Sequence, residues 1–222
     1  MQRRMLEKFN GTQAMPVRLF TSTSALASAS AFVLVLAAAC GSNEPPPSPD
    51  QPQPAVPNLA GQDVMVLPAQ PSPGGIPAGF DAALSAVLET EYPSVRWVLP
   101  VEIDRAVARS PTLGIRPHAL PVSVLRSEEA DRIGDPLYGD LRRLGAIVDA
   151  RYAVIVHRVG YVAPADSVGA SGRIEAAVAI IDTIGGRILW RGLVAGERGG
   201  ADDEVVLATA VRAIARMIAP AQ

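Results

Sequence analysis

Seven of the chain's 20 prolines crowd into residues 42–60, SNEPPPSPDQPQPAVPNLA. Proline fixes φ and lacks an N–H donor, so this stretch can be neither a helix nor an inner strand. It favours extended polyproline II, at about 3.1 Å per residue, and could span on the order of 60 Å. The tract divides the chain into an apolar leader before it and a domain-sized remainder after it. The whole chain has 222 residues, of which 49% are hydrophobic and 19% charged. That balance supports a buried core and excludes wholesale disorder. A single cysteine excludes a disulfide framework and a Cys-rich zinc site.

The leader ends in that cysteine. Residues 31–39 carry no charge, Arg18 lies upstream, and small residues run up to Cys40. A charged segment, a short apolar run and a small-residue cleavage site make a secretory signal over residues 1–39. The apolar run is shorter than the roughly 20 residues a membrane helix needs. Met15 is an alternative start to Met1 or Met5, with MPVRLF as the charged segment. Ala37-Ala38-Ala39-Cys40 resembles the box of bacterial lipoprotein signals, with alanine in place of the usual leucine, which sits one place earlier as Leu36. The resemblance implies a diacylglycerol on the Cys40 thiol, no other cofactor, and a tether over residues 40–61. Gly41 and Ser42 are not the aspartate that retains such lipoproteins in the inner membrane. It therefore implies an outer-membrane anchor facing the periplasm. A secreted protein with a chance cysteine is the alternative.

Removing residues 1–39 leaves 16 basic residues, all arginine, against 21 acidic ones, a formal net charge of −5. An acidic, lysine-free module lacks the basic footprint of a nucleic-acid binder.

Residues 62–219 read as one α/β (α+β) domain in the order β-α-β-α-α-β-β-β-α. Asp63–Leu67 is a buried strand stopped by Pro68, and 69–79 is a loop. Phe80, Leu84, Val87 and Leu88 recur at helical spacing before Pro93. A strand at 95–99 and a short helix at 101–109 follow. Three prolines leave 111–126 ambiguous. Asp135-Pro136 is set to start a helix, with Asp as N-cap and Pro first in the helix, broken near Gly145. Segments 153–162, 173–182 and 187–195 are β-rich, and alternation in 173–182 implies one face in and one out. Asp182–Gly186 is a hairpin turn. The last helix, 202–219, gathers Val205, Val206, Val211, Ile214, Ala215 and Ile218 on one side. A mixed sheet of about five strands follows, with helices packed mostly on one face.

Four segments carry a family likeness: VMVLPA (64–69), VRWVLPVEIDRAV (95–107), LRRLGAIVDARYAVIVHRVGYV (141–162) and IEAAVAIIDTIGGRILWRG (174–192). In their order and spacing they resemble the curli-assembly (CsgG-type) and TolB amino-terminal-like domains, the fold of penicillin-binding-protein activator lipoproteins. The likeness spans about residues 62–218. It implies a stand-alone module that docks onto an envelope protein or a peptidoglycan-associated complex, and the family's ring formers make a homo-oligomer compatible with it. The loop 163–172 is too short for the membrane hairpins of the curli channel, since one membrane strand alone takes about 9–11 residues.

Chemistry is sparse. The loop Gly74–Gly79 lacks the Lys-Ser/Thr of a phosphate-binding loop. His118 and His157 have no ligand at metal spacing, so no metal site is expected. Ser123 and Ser127 lack a nucleophile context. Glu128, Glu129, Asp131 and Asp135 suit helix capping and solvated surface better than a pair of acids held across a substrate. No catalytic residue emerges, and the expectation is a non-enzyme. Arg142, Arg143, Arg151 and Arg158 lie within the best family match and could read carboxylates or phosphates through their planar forks. Ion pairing with Asp140, Asp149 and Glu175 is the alternative. Trp97 and Trp190 read as core. The module is therefore expected to bind a protein, with small-ligand or glycan binding as the other reading.

Overall fold

The computed structural model describes residues 55–163 and 171–219. The signal segment and Cys40 lie outside them. The Asp63–Val66 run forms strand β1, and the chain then alternates helix α1 (Phe80–Glu91), β2 (Arg96–Val98) and α2 (Pro100–Arg109). Three 3-10 turns occupy the Pro-rich stretch 111–126, because each proline removes an N–H that a longer helix would need. Helix α3 (Leu137–Val148), strands β3 (Tyr152–Val162), β4 (Arg173–Asp182) and β5 (Arg187–Ala195), and helix α4 (Glu204–Ile218) complete the order read from the sequence.

The five strands form one sheet in the order β2-β1-β3-β4-β5. β1 is parallel to both β2 and β3, whereas β3, β4 and β5 form an antiparallel meander. The short Asp182–Gly186 turn closes the last hairpin, with Gly186 at φ 65° and the Asp182 carboxylate accepting from the Ile184 N–H. A pairing of Arg96 with Asp63 links the facing strands β2 and β1.

Both faces of the sheet are covered, which corrects the expectation of helices mostly on one. α1 and α4 pack over Val64, Val66, Val154, Val156 and Ile180. α2, α3 and the 3-10 turns pack over Met65, Leu67, Ala153, Ile155 and Ile181. The reason lies in the inner strands: Val64-Met65-Val66-Leu67 and Ala153–Val156 are unbroken apolar runs, so neighbours in sequence are buried on opposite faces. Alternation in β4 fails for the same reason, as residues 176–181 are all buried. Leu141 and Leu144 of α3 are fully enclosed, and each contributes roughly 1.5–3 kcal/mol by leaving water.

Three local expectations also change. α3 continues through Gly145 to Val148, and the glycine serves a close approach instead of a break: a Cβ there would sit 2.6 Å from the Ala150 carbonyl oxygen. α3 begins at Leu137 with Pro136 at the cap, although Asp135 Oδ1 still accepts from the Gly139 N–H at 3.0 Å. Val205 is 59% exposed; it lies in the first turn of α4, beside the capping Asp203 that accepts its N–H at 2.9 Å.

Candidate functional site

The helices cover the sheet only part-way along β3, β4 and β5. On the α2/α3 side the last fully covered row is Ile155–Ala179, with Arg191 beside Ala179 on β5. One step further, the ladder between β3 and β4 carries a bulge: Val156 pairs with Val178 and Arg158 with Ala177, leaving His157 as the extra residue. A bulge re-aims the side chains around it. Here it brings Arg158 into a row with Ala177 and Leu193 across three strands. Leu193 is 71% exposed and Val162, two rows on, is 48% exposed. This end of the sheet is open among the described residues.

His157 is only 8% exposed, and its Nδ1 has no hydrogen-bond partner among the described residues. Burial, and then the charges of Arg158, Arg126 and Arg191, lower its pKa to about 4. The imidazole is therefore neutral at pH 7, with the positive charges of three arginines acting on it. Arg126 ends the 3-10 turn Val122–Arg126, and Arg191 comes from β5. The Arg191 guanidinium donates to the carbonyls of Ser127 and Ala130, which pins the 127–130 loop beside the sheet. Arg126 and Arg158 are exposed and form no ion pair among the described residues.

The four arginines singled out in the sequence do not gather. Arg142 and Arg143 lie on α3, where Arg143 pairs with Asp140 at 2.6 Å. Arg151, just before β3, pairs with Asp182 at 3.5 Å and lies 5.2 Å from the Tyr152 ring centre. Arg158 lies past the middle of β3, about 20 Å away at the rise of an extended strand. Glu175 pairs with Arg173, its near neighbour on β4. Sequence proximity suggested the wrong companions for Arg158. Arg126 and Arg191, far away in the chain, were not singled out, and no local motif marks them.

The remaining candidates have structural partners. His118 Nε2 meets the Asp104 carboxylate at 3.0 Å. Trp190 is core, whereas Trp97 is half-buried and donates Nε1–H to the Tyr92 carbonyl at 3.0 Å. Among the described residues, no group of three or more His, Cys, Asp or Glu could hold a metal ion. No described helix is long and apolar enough to cross a membrane. A cavity of about 580 Å³ is lined by Val56–Ala60, Glu91–Val95 and Ala219.

No protein-family model matches the chain, and no curated protein matches its sequence. Solved structures do resemble it. The lipoprotein GNA1162 from Neisseria meningitidis is 12% identical with a TM-score of 0.43, covering 71% of this chain and 97% of its own. The LpoB C-terminal domain from Salmonella enterica is 13% identical with a TM-score of 0.39, covering 64% of this chain and 86% of its own. A PelC dodecamer from Paraburkholderia phytofirmans is 13% identical with a TM-score of 0.40, covering 75% of this chain and 93% of its own. All three fall below a TM-score of 0.5.

Proposed function

We propose that this chain is a lipid-anchored, non-catalytic docking module of the bacterial envelope. The observation that carries the reading is the open end of β3–β5. Apolar Leu193 and Val162 face solvent there, and β5 has no strand beyond it among the described residues. An exposed apolar patch next to a free strand edge is a surface for a protein partner. The sequence supplies the other half of the device. A diacylglycerol on Cys40 would anchor the chain, at about 0.8 kcal/mol per buried methylene. The Pro-rich arm would set its reach and effective concentration. The sequence resemblance to curli-assembly and TolB amino-terminal-like domains fits the same outer-membrane, periplasm-facing role.

Crosslinking in intact cells from a tag on Gln222 tests the reading, with Cys40→Ser as control. The expected result is one stoichiometric envelope protein, lost in the control. Capture of nothing but the chain itself, in repeated experiments, overturns it. The cavity of about 580 Å³ favours small-ligand or glycan binding as a second reading, since its volume lies in the range of ligand sites.

A further inference from the structure

We propose that Arg126, Arg158 and Arg191 form a carboxylate-binding cradle on the open end of the sheet, and that it receives an acidic segment of a partner protein. The inference rests on the docking reading and names the chemistry of its contact. Arg191 and Arg158 stand in successive rows on one face of the sheet, Arg126 immediately precedes Ser127, whose carbonyl Arg191 binds, and Arg126 and Arg158 have no carboxylate within ion-pair distance among the described residues. Five arginines elsewhere do form ion pairs: Arg96, Arg143, Arg151, Arg173 and Arg212. Like charges held together unpaired repel one another, and an incoming anion relieves that repulsion.

The second observation is His157. It is more than nine-tenths buried at the bulge next to Arg158, with Nδ1 unpartnered among the described residues. Most buried polar groups in folded proteins have a partner, so this one marks a site that is incomplete in the free chain. Its position between Val156 and Arg158 ties it to the same bulge that aims Arg158.

The chemistry of the surroundings favours a peptide over a bare polyanion. Leu193 shares a row with Arg158, and a phosphate or sulfate polymer would leave that leucine in water. A strand-like segment can place a carboxylate over Arg158 and an apolar side chain over Leu193. The β5 edge is already occupied at its start, where Ile188 N–H donates to the Asp131 carbonyl at 2.9 Å and Arg187 bridges Arg132. Beyond Ile188 the edge is free for such a segment among the described residues. Arg191 keeps donors to spare, because a guanidinium carries five N–H groups and two of its bonds go to Ser127 and Ala130.

The test uses the full chain purified in detergent and hexaglutamate as probe, with hexalysine as the control peptide. The chain has two histidines, so the ring signals of His157 and His118 can be followed separately by NMR. Hexaglutamate is expected to bind and to raise the His157 pKa while leaving His118 in place, because an anion opposes the field of the arginines. The double variant Arg126→Gln/Arg158→Gln removes two exposed, unpaired side chains and is expected to weaken binding about tenfold or more. Arg109→Gln, on exposed α2 surface, is expected to change nothing. Equal binding by the double variant, or a His157 signal that ignores the peptide, overturns the cradle. The same variants are then carried into cell crosslinking. Undiminished capture of an envelope protein by the double variant overturns the cradle and leaves the docking reading standing. Capture of no protein by any variant overturns both.

Discussion

Acidification should destabilise this domain through His157, by an amount that follows from its surroundings. A neutral, buried imidazole beside Arg158, Arg126 and Arg191 resists protonation in the folded chain, with a pKa near 4 against an ordinary 6.5. Between those values the unfolded chain binds more protons than the native one, so stability rises with pH in that window. The contribution is complete above about pH 6.5 and is lost as pH falls to 4. The full difference corresponds to about 3 kcal/mol, and about 2 kcal/mol of it is lost between pH 7 and pH 5. His157→Gln keeps a polar side chain of similar reach but cannot titrate. The assay is urea unfolding of wild type and variant at pH 7 and pH 5. With a slope of about 2 kcal/mol per molar, the wild-type midpoint should fall about 1 M further than that of the variant. Comparing pH differences cancels the cost of the substitution itself. It also cancels the titration of Asp63, whose carboxyl Arg96 holds low, and of Asp81, whose carboxyl burial holds high. Midpoints that fall in parallel would refute the reasoning: His157 would then not be the neutral, shielded group described above.

Two further substitutions probe the core. Gln70 is fully buried; its amide donates to the Pro68 and Pro117 carbonyls at 2.7 and 2.8 Å and accepts from the Leu120 N–H at 2.7 Å. Gln70→Leu strands all three backbone groups and should cost about 2–4 kcal/mol, read as a lower urea midpoint. Gly145→Ala drives a methyl against the Ala150 carbonyl and Thr183 Oγ1, and thermal unfolding should show a loss of about 1–3 kcal/mol.

The order of elements was legible because its signals are local. Helical spacing from Phe80, alternating or continuous apolar runs, and the Asp182–Gly186 turn each act within a few residues, and the strand and helix bounds follow them closely. The two-sided burial of the sheet was legible too, in the unbroken runs at β1 and β3, but reading β4 as alternating obscured it. Val205 shows a different limit: it shares helical spacing with the core residues of α4, yet the first turn projects it beyond the sheet. The arginine cradle was not legible. Arg158 and Arg191 share one region of the sheet only because the meander sets β5 beside β4, and Arg126 joins them only because Arg191 holds the 127–130 loop. Arg142, Arg143 and Arg151 are closer to Arg158 in sequence, but the first two lie in the middle of α3 and Arg151 precedes β3. The role of Gln70 was equally hidden, since two of its three partners, Pro117 and Leu120, lie in the stretch the sequence left ambiguous.

The place of β1 has a mechanical consequence. Load arriving from the N-terminal side of the domain passes Leu59, which is buried, and Gly61, whose N–H is bonded to the Ser94 carbonyl, and enters the sheet at β1. An edge strand under such a pull would peel away one hydrogen bond after another. β1 is bonded on both sides, to β2 and to β3, so extracting it means breaking two ladders together. The open surface that would meet a partner lies on the far strands, and traction between the two is carried through the middle of the sheet.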